Sequence, residues 1–379
     1  MIRILHIIES LGRGGAERRL VNDLKYINGT KFKNIVCALT PPLDLMDEIE
    51  RLNIETICLN NKNKISVKSF FKLRDIIKIN KIDIVHSHLL YSDLYATILR
   101  LTGIKIRVVS SAQATPYDNK DTSLYSRKRK IIEKLFLVPR FDHIIAVSNQ
   151  VKKSGIKNLT YDEEKCTTIF NSVDIERFST HNLEDTFHLK KNLNLSENDK
   201  IVVCIGRLVP PKGHKFLLKA LKLVISKLGT TKLLIVGEGP LKNELKQLAQ
   251  QLNISQYVLF LGKRKDISNL MHLSHLFVFP STHGEGLPLI LLEAMATKKI
   301  CITADTPPIK EVIRHKENGF LYKSQNYIEL SEAIIYVLKN YNNLGTIGEN
   351  ALHSVQKKFS AASSVKKLET VYEKLLIKR

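Results

Sequence analysis

Two glutamates in the segment PSTHGEGLPLILLEAMA, residues 280–296, are well placed to do chemistry. Glu285 lies in a turn rich in Gly and Pro, and Glu293 follows eight residues later in an apolar stretch that predicts a helix. Pro288 suits the first position of that helix, because its missing N–H would be unpaired there in any case. Two carboxylates at one helix entrance can accept hydrogen bonds from the hydroxyl groups of a single ligand.

The backbone at this helix entrance predicts an anion site. The N–H groups of Gly286, Leu287 and Leu289 would point outwards at the positive end of the helix. Such an end binds phosphate groups readily. A ligand whose phosphate binds these amides and whose hydroxyls bind the two carboxylates would be a nucleotide sugar. The alternative is an ordinary buried helix with two solvated glutamates.

A pair of cationic residues precedes the glutamates along the chain. Arg207 closes the strand-like run IVVCIGR, and Lys212 follows five residues later. A forked guanidinium and a compact ammonium suit a diphosphate held between them. A solvated strand–helix loop is the alternative, but the position of the pair upstream of the glutamates favours the phosphate role.

His86 and His88 end another strand-like run and share one face of it, since side chains alternate along a strand. Two histidines at this spacing could be metal ligands. The sequence shows no nearby Cys, Asp or third His to complete a ligand set, so it predicts no metal site. A buried structural role is the alternative for His86.

Apolar runs of strand length, which alternate with helical patterns, must position these residues. Runs at 2–8, 34–39, 55–59, 83–88, 107–111 and 143–148 form a first series, and runs at 201–206, 232–237, 257–262, 276–281 and 299–304 form a second. A boundary near 176–200 separates them. This alternation predicts an α/β fold with two parallel sheets, whose ligands bind at the carboxyl ends of the strands.

The composition describes a globular chain with a strong positive charge. Its 379 residues suffice for two domains, and a net charge of +22 favours anionic partners such as nucleotide phosphates or anionic lipid head groups. We expect no nucleic-acid partner, because the chain has no zinc finger and no basic run with stacking aromatics. Scattered cysteines without a Cys-x-x-Cys pair indicate buried thiols in a reducing cytosol. The sequence shows no bilayer-length apolar run, and we expect no signal peptide, because the start MIRILHIIES is short and polar.

Two stretches, residues 62–81 and residues 126–138, are basic and amphipathic. The first has seven Lys or Arg residues against one acid, and the second begins with SRKRK. Both patterns are typical of a helix on an anionic membrane surface. An ordinary helix with a core face and a solvated charged face is equally consistent with them.

The motifs together resemble those of glycosyltransferase family 4, the retaining enzymes of GT-B fold. The family's Pro-Ser, Glu-Gly and Glu-Ala elements are matched in order by Pro280, Ser281, Glu285, Gly286, Glu293 and Ala294. The segment 206–213 matches its Gly-Arg-Leu and Lys-Gly, and the segment 14–18 matches its Gly-Gly-Ala-Glu-Arg. The chain departs at 306–308, where Thr-Pro-Pro replaces a Gly-Gly element, and this leaves the recognition of the donor sugar open.

The resemblance implies an α/β fold of GT-B type, with two Rossmann-like, doubly wound parallel-sheet domains facing each other across a cleft. Residues 1–176 would form the acceptor-binding domain, and residues 177–357 would form the nucleotide-sugar domain. Residues 358–379 would form a helix that crosses back to the first domain.

The resemblance also implies roles for individual residues. The catalytic residues would be Glu285, His88, Arg207 and Lys212. The donor would be bound by Gly14, Gly15, Arg207, Lys212, Arg264, Glu285, Gly286, Leu287 and Glu293. Arg207 and Lys212 would stabilise the charge on the departing diphosphate. Glu285 would hold hydroxyls of the donor sugar, Glu293 would hold the ribose, and His88 would lie near the donor sugar and the acceptor.

We therefore expect a retaining, metal-independent hexosyltransferase without a cofactor. It would move a sugar from a nucleoside diphosphate donor, a UDP-sugar, to a hydroxyl of a lipid-linked or cell-envelope glycan of the lipopolysaccharide or capsule kind. We expect it in the cytoplasm, at the inner face of the cytoplasmic membrane if the basic stretches bind anionic lipid. A nucleotide-sugar epimerase of GT-B fold and an inactive glycan-binding protein are the alternatives.

Overall fold

The chain folds into two compact units. The computed structural model describes residues 1–115, 117–118, 124–180 and 182–377. The first unit comprises Met1–Ser172, Glu285–Leu287 and Ala361–Arg379. The second comprises Val173–Gly284 and Pro288–Ser360.

The first unit is a doubly wound α/β sheet. Its elements before the unit boundary are β1 Ile2–Ile8, α1 Gly15–Tyr26, β2 Phe32–Ala38, α2 Met46–Glu50, β3 Glu55–Cys58, α3 Val67–Ile79, β4 Ile84–His88, α4 Leu90–Leu101, β5 Arg107–Ala112, α5 Leu124–Ile132, β6 His143–Ala146, α6 Asn149–Leu159 and β7 Cys166–Thr168. A π-helical turn, Glu133–Leu137, continues α5. The strand order is β3-β2-β1-β4-β5-β6-β7, and the neighbouring strands pair in parallel. The order reverses between β1 and β4, which is the switch point where ligands bind such sheets.

The second unit repeats this architecture with a six-stranded sheet. Its elements are α7 Ile175–Ser179, α8 Leu183–Asn192, β8 Lys200–Ile205, α9 His214–Leu228, β9 Thr231–Val236, α10 Lys242–Gln251, β10 Val258–Gly262, α11 Ile267–Leu273, β11 Leu276–Phe279, α12 Leu289–Ala296, β12 Ile300–Ala304, α13 Pro307–Lys310, β13 Phe320–Tyr322, α14 Tyr327–Lys339 and α15 Gly345–Lys358. The parallel strands follow the order β10-β9-β8-β11-β12-β13, so the switch point lies between β8 and β11.

The central strands are apolar because both faces of a parallel sheet are covered by helices. All residues of β4 and β12 are buried, for example, and this is why their runs are visible in the sequence. The predicted α/β class with two parallel sheets is confirmed. The strands β7 and β13 were not predicted, because three residues are too few to show a periodic pattern.

The last helix, α16 Ala361–Ile377, completes the core of the first unit. Its Leu368 and Tyr372 pack with Ile4 of β1 and Phe32 of β2. A fully buried apolar side chain of this size contributes about 1.5–3 kcal/mol. The helix is therefore part of the fold of this unit, and residues 378–379 lie outside the described ranges.

The two basic stretches are helical over most of their length. The helix α3 lies within the first stretch and buries Leu73 and Ile77, while α5 and the π-helical turn occupy most of the second. In the described part of the chain, no helix is both long enough and apolar enough for a bilayer crossing.

The cysteines are free thiols, and most of them are buried. Cys37, Cys166, Cys204 and Cys301 are buried, and Cys58 is partly buried. Burial raises the pKa of Cys37 and of Cys204 to about 12, which keeps both thiols protonated and unreactive.

Candidate active site

The switch point of the first sheet carries three predicted site residues. Gly14 and Gly15 follow β1 at the start of α1, and His88 is the last residue of β4. Because β1 and β4 pair directly, the three residues lie at or after the carboxyl ends of two neighbouring strands. A Cβ atom on Gly15 would meet none of the described atoms within 4 Å, so this helix entrance is open to a ligand.

A third histidine corrects the prediction that His86 and His88 have no further histidine beside them. His6 of β1 pairs in register with His86 of β4, so three imidazoles lie together. His6 Nδ1 lies 3.3 Å from His88 Nε2, and His6 Nε2 lies 3.1 Å from Asn34 Oδ1. The three histidines are buried, and we call them the histidine cluster.

The histidine cluster is a neutral, hydrogen-bonded network. Its ring nitrogens lie within 4.8 Å of one another, close enough to hold a metal ion. Hydrogen bonds already occupy both nitrogens of His86, to Tyr372 OH at 2.6 Å and to Ser111 Oγ at 2.8 Å. Burial lowers the pKa of His6 to about 4 and the pKa of His88 well below 6.5. Burial therefore favours neutral imidazoles in the cluster, and the hydrogen bond to His6 holds His88 at the strand end, while His88 Nδ1 has no hydrogen-bond partner among the described residues.

The residue after His88 has a strained backbone. Leu89 forms the one-residue connection between β4 and α4, with φ 74° and ψ 164°. That region is occupied almost only by glycine, and a non-glycine residue there costs about 1–3 kcal/mol. Such strain is typical of functional sites, where surrounding structure enforces it. It marks the neighbourhood of His88 independently of any motif.

The segment Glu285–Leu287, which we call the strap, belongs to the first unit, although the residues on both sides of it belong to the second. The strap packs against the chain that follows β5. A Cβ atom on Gly286 would lie 2.2 Å from the carbonyl oxygen of Gln113, so only glycine fits this approach. Thr115 Oγ1 donates to the carbonyl of Glu285 at 3.4 Å. These contacts fix the backbone that carries the Glu285 carboxylate.

A buried ion pair supports the other end of the strap. Asn171 Nδ2 donates to the carbonyl of Leu287 at 2.7 Å, and Asn171 Oδ1 accepts from Arg19 Nη1 at 2.9 Å. Arg19 Nε donates to both carboxylate oxygens of Asp23, at 2.9 Å and 3.2 Å. Removal of one partner of such a buried pair costs about 3–5 kcal/mol. This network was not predicted from the sequence, although Arg19 and Asp23 stand four residues apart on the helix after the glycine motif.

The switch point of the second sheet carries the cationic pair. Arg207 follows β8 and is exposed, whereas Lys212 is half-buried with its Nζ 5.2 Å from the centre of the Phe279 ring. Pro211 connects this loop to the one after β11, because its carbonyl accepts from Thr282 N at 2.7 Å. Both cations therefore lie on loops at the carboxyl end of a central strand, where a phosphate group is expected.

Gly213 explains why glycine must follow Lys212. Its φ is +69°, and a Cβ atom there would lie 2.0 Å from the carbonyl oxygen of Pro280. Only glycine tolerates both the conformation and the approach. The next residue, His214, begins α9, and burial lowers its pKa to about 4.

The helix α12 begins one residue later than predicted. Pro288 has φ −72° and an extended ψ of 116°, so it is the N-cap, and Leu289 is the first helical residue. The first N–H groups of α12 still have no partner inside the helix. Glu293 is 9% exposed within α12 of the second unit, whereas Glu285 belongs to the first unit. Glu285 thus lies just before α12 but belongs to the first unit, whereas Glu293 is carried by α12 in the second unit.

Arg264, a predicted donor-binding residue, follows β10 and is held by an ion pair. Its Nε and Nη2 donate to the carboxylate oxygens of Asp266 at 2.8 Å and 2.6 Å. These hydrogen bonds raise the pKa of Arg264. The guanidinium is therefore engaged within its own loop.

Two family profiles cover most of the chain. A profile described as Glycosyltransferase Family 4 matches residues 13–177, and one described as Glycosyl transferases group 1 matches residues 185–354.

Two bacterial proteins are similar to this chain over most of its length. The chain is 27% identical over 385 residues to a UDP-Gal:alpha-D-GlcNAc-diphosphoundecaprenol alpha-1,3-galactosyltransferase of Escherichia coli, covering 100% of this chain and 98% of that protein. It is 28% identical over 346 residues to the N-acetylgalactosamine-N,N'-diacetylbacillosaminyl-diphospho-undecaprenol 4-alpha-N-acetylgalactosaminyltransferase of Campylobacter jejuni, covering 88% and 89% of the two chains.

The fold matches a crystallised protein along the whole chain. The structure of Anabaena HepE in complex with UDP and glucose superposes with a TM-score of 0.87, at 21% identity, over 99% of this chain and 100% of that one. This likeness confirms the predicted GT-B fold class.

Proposed function

Because this chain belongs to glycosyltransferase family 4, we propose that it transfers a sugar from a UDP-sugar to a hydroxyl of a lipid-linked glycan during assembly of a cell-envelope polysaccharide. The names of both bacterial relatives specify undecaprenol diphosphate acceptors, and one of them specifies a UDP-galactose donor. The HepE structure holds UDP. In the reaction, the bond from the sugar to UDP breaks and a glycosidic bond to the acceptor oxygen forms.

The main support for this proposal is the position of Arg207 and Lys212 at the switch point of the second sheet. Negative charge grows on the diphosphate as its bond to the sugar breaks. A guanidinium can contact two phosphate oxygens at once, and the ammonium supplies a compact charge beside them. Stabilisation that strengthens as the charge develops lowers the barrier of the chemical step.

We assign the carboxylates to the hydroxyl groups of the donor. Glu293, which α12 holds rigidly in the second unit, would accept from the ribose. Glu285, which the strap holds in the first unit, would accept from the transferred sugar. His88 is neutral, because burial lowers its pKa well below 6.5, so it would exchange hydrogen bonds with a hydroxyl and would not act as a cation.

We further propose that the transfer retains the anomeric configuration and needs no metal. Members of the family provide no secure enzymic nucleophile, so the acceptor would attack from the face that the diphosphate leaves. A departing phosphate oxygen would take the acceptor proton. Arg207 and Lys212 would neutralise the diphosphate in place of a divalent ion.

The basic helices support a peripheral position at the inner face of the cytoplasmic membrane. On α3, the apolar side chains of Val67, Phe71 and Ile79 are exposed beside several lysines. On α5 and the π-helical turn, Ile131 and Leu135 are exposed in the same way. Apolar side chains among basic residues are the pattern with which helices bind anionic bilayers.

Transfer from labelled UDP-sugars to an N-acetylglucosaminyl-diphospho-lipid would test this function. We expect one of UDP-galactose, UDP-glucose, UDP-N-acetylglucosamine or UDP-N-acetylgalactosamine to label the lipid. The new linkage should be α by NMR, and activity should persist in EDTA. Interconversion of UDP-sugars without labelling of any acceptor would instead indicate the epimerase. Loss of activity in EDTA with recovery on adding Mg²⁺ or Mn²⁺ would contradict the metal-independent step.

A further inference from the structure

A pocket in the first unit is not used by any of the roles assigned so far. It has a volume of about 190 Å³ and lies beneath α5 and the π-helical turn, beside the carboxyl end of β5. Pockets for drug-sized ligands hold roughly 300–1,000 Å³. This one corresponds to about six water molecules, at roughly 30 Å³ each. It therefore suits a ligand with the size of a single ring.

The wall of the pocket offers both hydrogen-bond acceptors and a donor. Asp93 and Glu133 provide carboxylates, and the side chain of Gln113 provides an amide. Gln113 Nε2 is buried and has no hydrogen-bond partner among the described residues. An unsatisfied buried donor is costly and calls for a partner from a ligand or from water. Tyr117 adds an aromatic ring to the wall.

The charges in the pocket favour a neutral ligand. Glu133 is paired with Arg129, whose Nε donates to Glu133 Oε1 at 2.6 Å. Asp93 Oδ1 accepts from Ser87 Oγ at 2.5 Å, and burial raises the pKa of Asp93 to about 7. This carboxyl group can thus accept or donate near neutral pH. An anionic ligand would lie beside two carboxyl groups, and the guanidinium of Arg129 that could offset its charge is already paired with Glu133. A hydrocarbon chain would leave the amide of Gln113 without a hydrogen-bond partner.

The pocket adjoins residues that the proposed reaction uses. Leu89, the strained residue that follows His88, lines it. Gln113 also lines it, and the carbonyl of the same residue packs against Gly286 of the strap. A ligand in the pocket therefore lies beside the segments that carry His88 and Glu285 within the first unit.

We propose that this pocket binds one pyranose ring of the acceptor glycan, through hydrogen bonds from its hydroxyls to Asp93 and Gln113 and contact with the ring of Tyr117. A pyranose matches each property of the site, because it is neutral, is of single-ring size, and has several hydroxyls that both donate and accept. This inference rests on the proposed function, since it names the part of the acceptor that the first unit selects.

The experiment compares wild type with Gln113→Leu and Asp93→Asn, and with Gln251→Leu as a matched control. Gln251 is exposed at the end of α10 in the second unit. The probes are the methyl glycosides of glucose, galactose, N-acetylglucosamine and N-acetylgalactosamine, observed by saturation-transfer NMR at millimolar concentration. UDP binding is measured on the same proteins by calorimetry.

We expect wild type and Gln251→Leu to bind at least one glycoside. Gln113→Leu should weaken that binding about tenfold, as expected from loss of one buried hydrogen bond, and should leave UDP binding within about twofold. Asp93→Asn, which keeps the size of the side chain, should change which glycoside is preferred. Binding of none of the four glycosides by wild type would overturn the proposal, as would equal binding by wild type and Gln113→Leu. Failure of wild type to bind UDP would overturn the proposed donor and leave the test of the pocket intact.

Discussion

Arg207 and Lys212 are both assigned to the diphosphate of the donor, one with a guanidinium and the other with an ammonium group. We expect Arg207→Ala or Lys212→Ala to lower kcat about a hundredfold, which corresponds to about 3 kcal/mol of transition-state stabilisation. Thermal unfolding should be unchanged, because Arg207 is exposed and Lys212 is half-buried on a loop. Lys215→Ala, which removes an exposed lysine from the next helix, is the matched control. Near-wild-type turnover in both site variants would contradict the assigned role.

Glu285 and Glu293 can be separated because they are assigned to different parts of the donor. Glu293→Gln keeps the size of a buried side chain and removes its charge, so it should weaken the binding of free UDP. Glu285→Gln should leave UDP binding unchanged and lower turnover with the intact UDP-sugar. Calorimetry with UDP and steady-state kinetics would measure the two effects. Equal loss of UDP affinity in both variants would contradict the assignment.

The sequence locates residues that act through local motifs better than residues that act through tertiary contacts. Arg207 and Lys212 follow a strand that is visible as an apolar run, so the carboxyl end of the sheet could be predicted for them. His6 could not be grouped with His86, because the register between β1 and β4 joins residues far apart in sequence. The contact of Asn171 with the strap is likewise a long-range one.

The strap is an element whose function depends on one close backbone approach. In Gly286→Ala the new methyl group would collide with the carbonyl of Gln113, so the strap would have to shift and carry Glu285 with it. We expect turnover to fall at least tenfold, because displacement of a positioned group by about 1 Å can cost a hundredfold. Gly29→Ala is the matched control, since a Cβ atom there meets none of the described atoms within 4 Å. Full activity of Gly286→Ala would show that the strap does not position Glu285.

The helix α5 has two faces, and only the outer one is available to a membrane. Arg129 contacts Glu133 at 2.6 Å, and Lys130 Nζ lies 2.9 Å from Asn158 Oδ1, so two of the four basic residues in SRKRK are engaged within the protein. Arg127 and Lys128 are exposed. The amphipathic pattern predicted the helix, but only tertiary contacts show which basic residues remain for a partner.

Substitution of the outer basic residues should therefore weaken attachment to anionic vesicles. Each Lys or Arg near such a surface contributes about 1 kcal/mol, so the double variant Arg127→Gln/Lys128→Gln should bind about 30-fold less well. High salt should release wild type, because the Debye length is about 8 Å already at physiological ionic strength. Lys357→Gln/Lys358→Gln, an exposed pair on α15, is the control for net charge. Equal sedimentation of both double variants would indicate that α5 is an ordinary solvated helix.

Across the whole molecule, histidines whose pKa is lowered by full or partial burial make stability depend on pH in both units. Burial lowers the pKa of His6 in the first unit, and of His214 and His275 in the second, to about 4. The unfolded chain takes up protons at these positions from about pH 6.5 downwards, while the folded protein does not. The contribution of these histidines to stability is therefore full above pH 6.5 and decreases as the pH falls towards 4. Asp93 has the opposite effect, because burial raises its pKa in the folded protein to about 7. Its contribution to the free energy of unfolding is full below pH 3.8 and is lost as the pH rises through 7.

The histidine cluster makes this trend testable with a single substitution. His6→Gln should lower the midpoint of thermal unfolding at pH 7, because it disrupts the hydrogen bonds to His88 and Asn34. It should also reduce the loss of stability between pH 6.5 and 5 by about 2 kcal/mol, or roughly 4–8 °C in midpoint for a domain of this size, since one proton fewer is taken up on unfolding. His188→Gln removes an exposed imidazole of α8 and should leave the pH dependence unchanged. The same pH dependence in His6→Gln as in wild type would show that the cluster is not neutral in the folded protein.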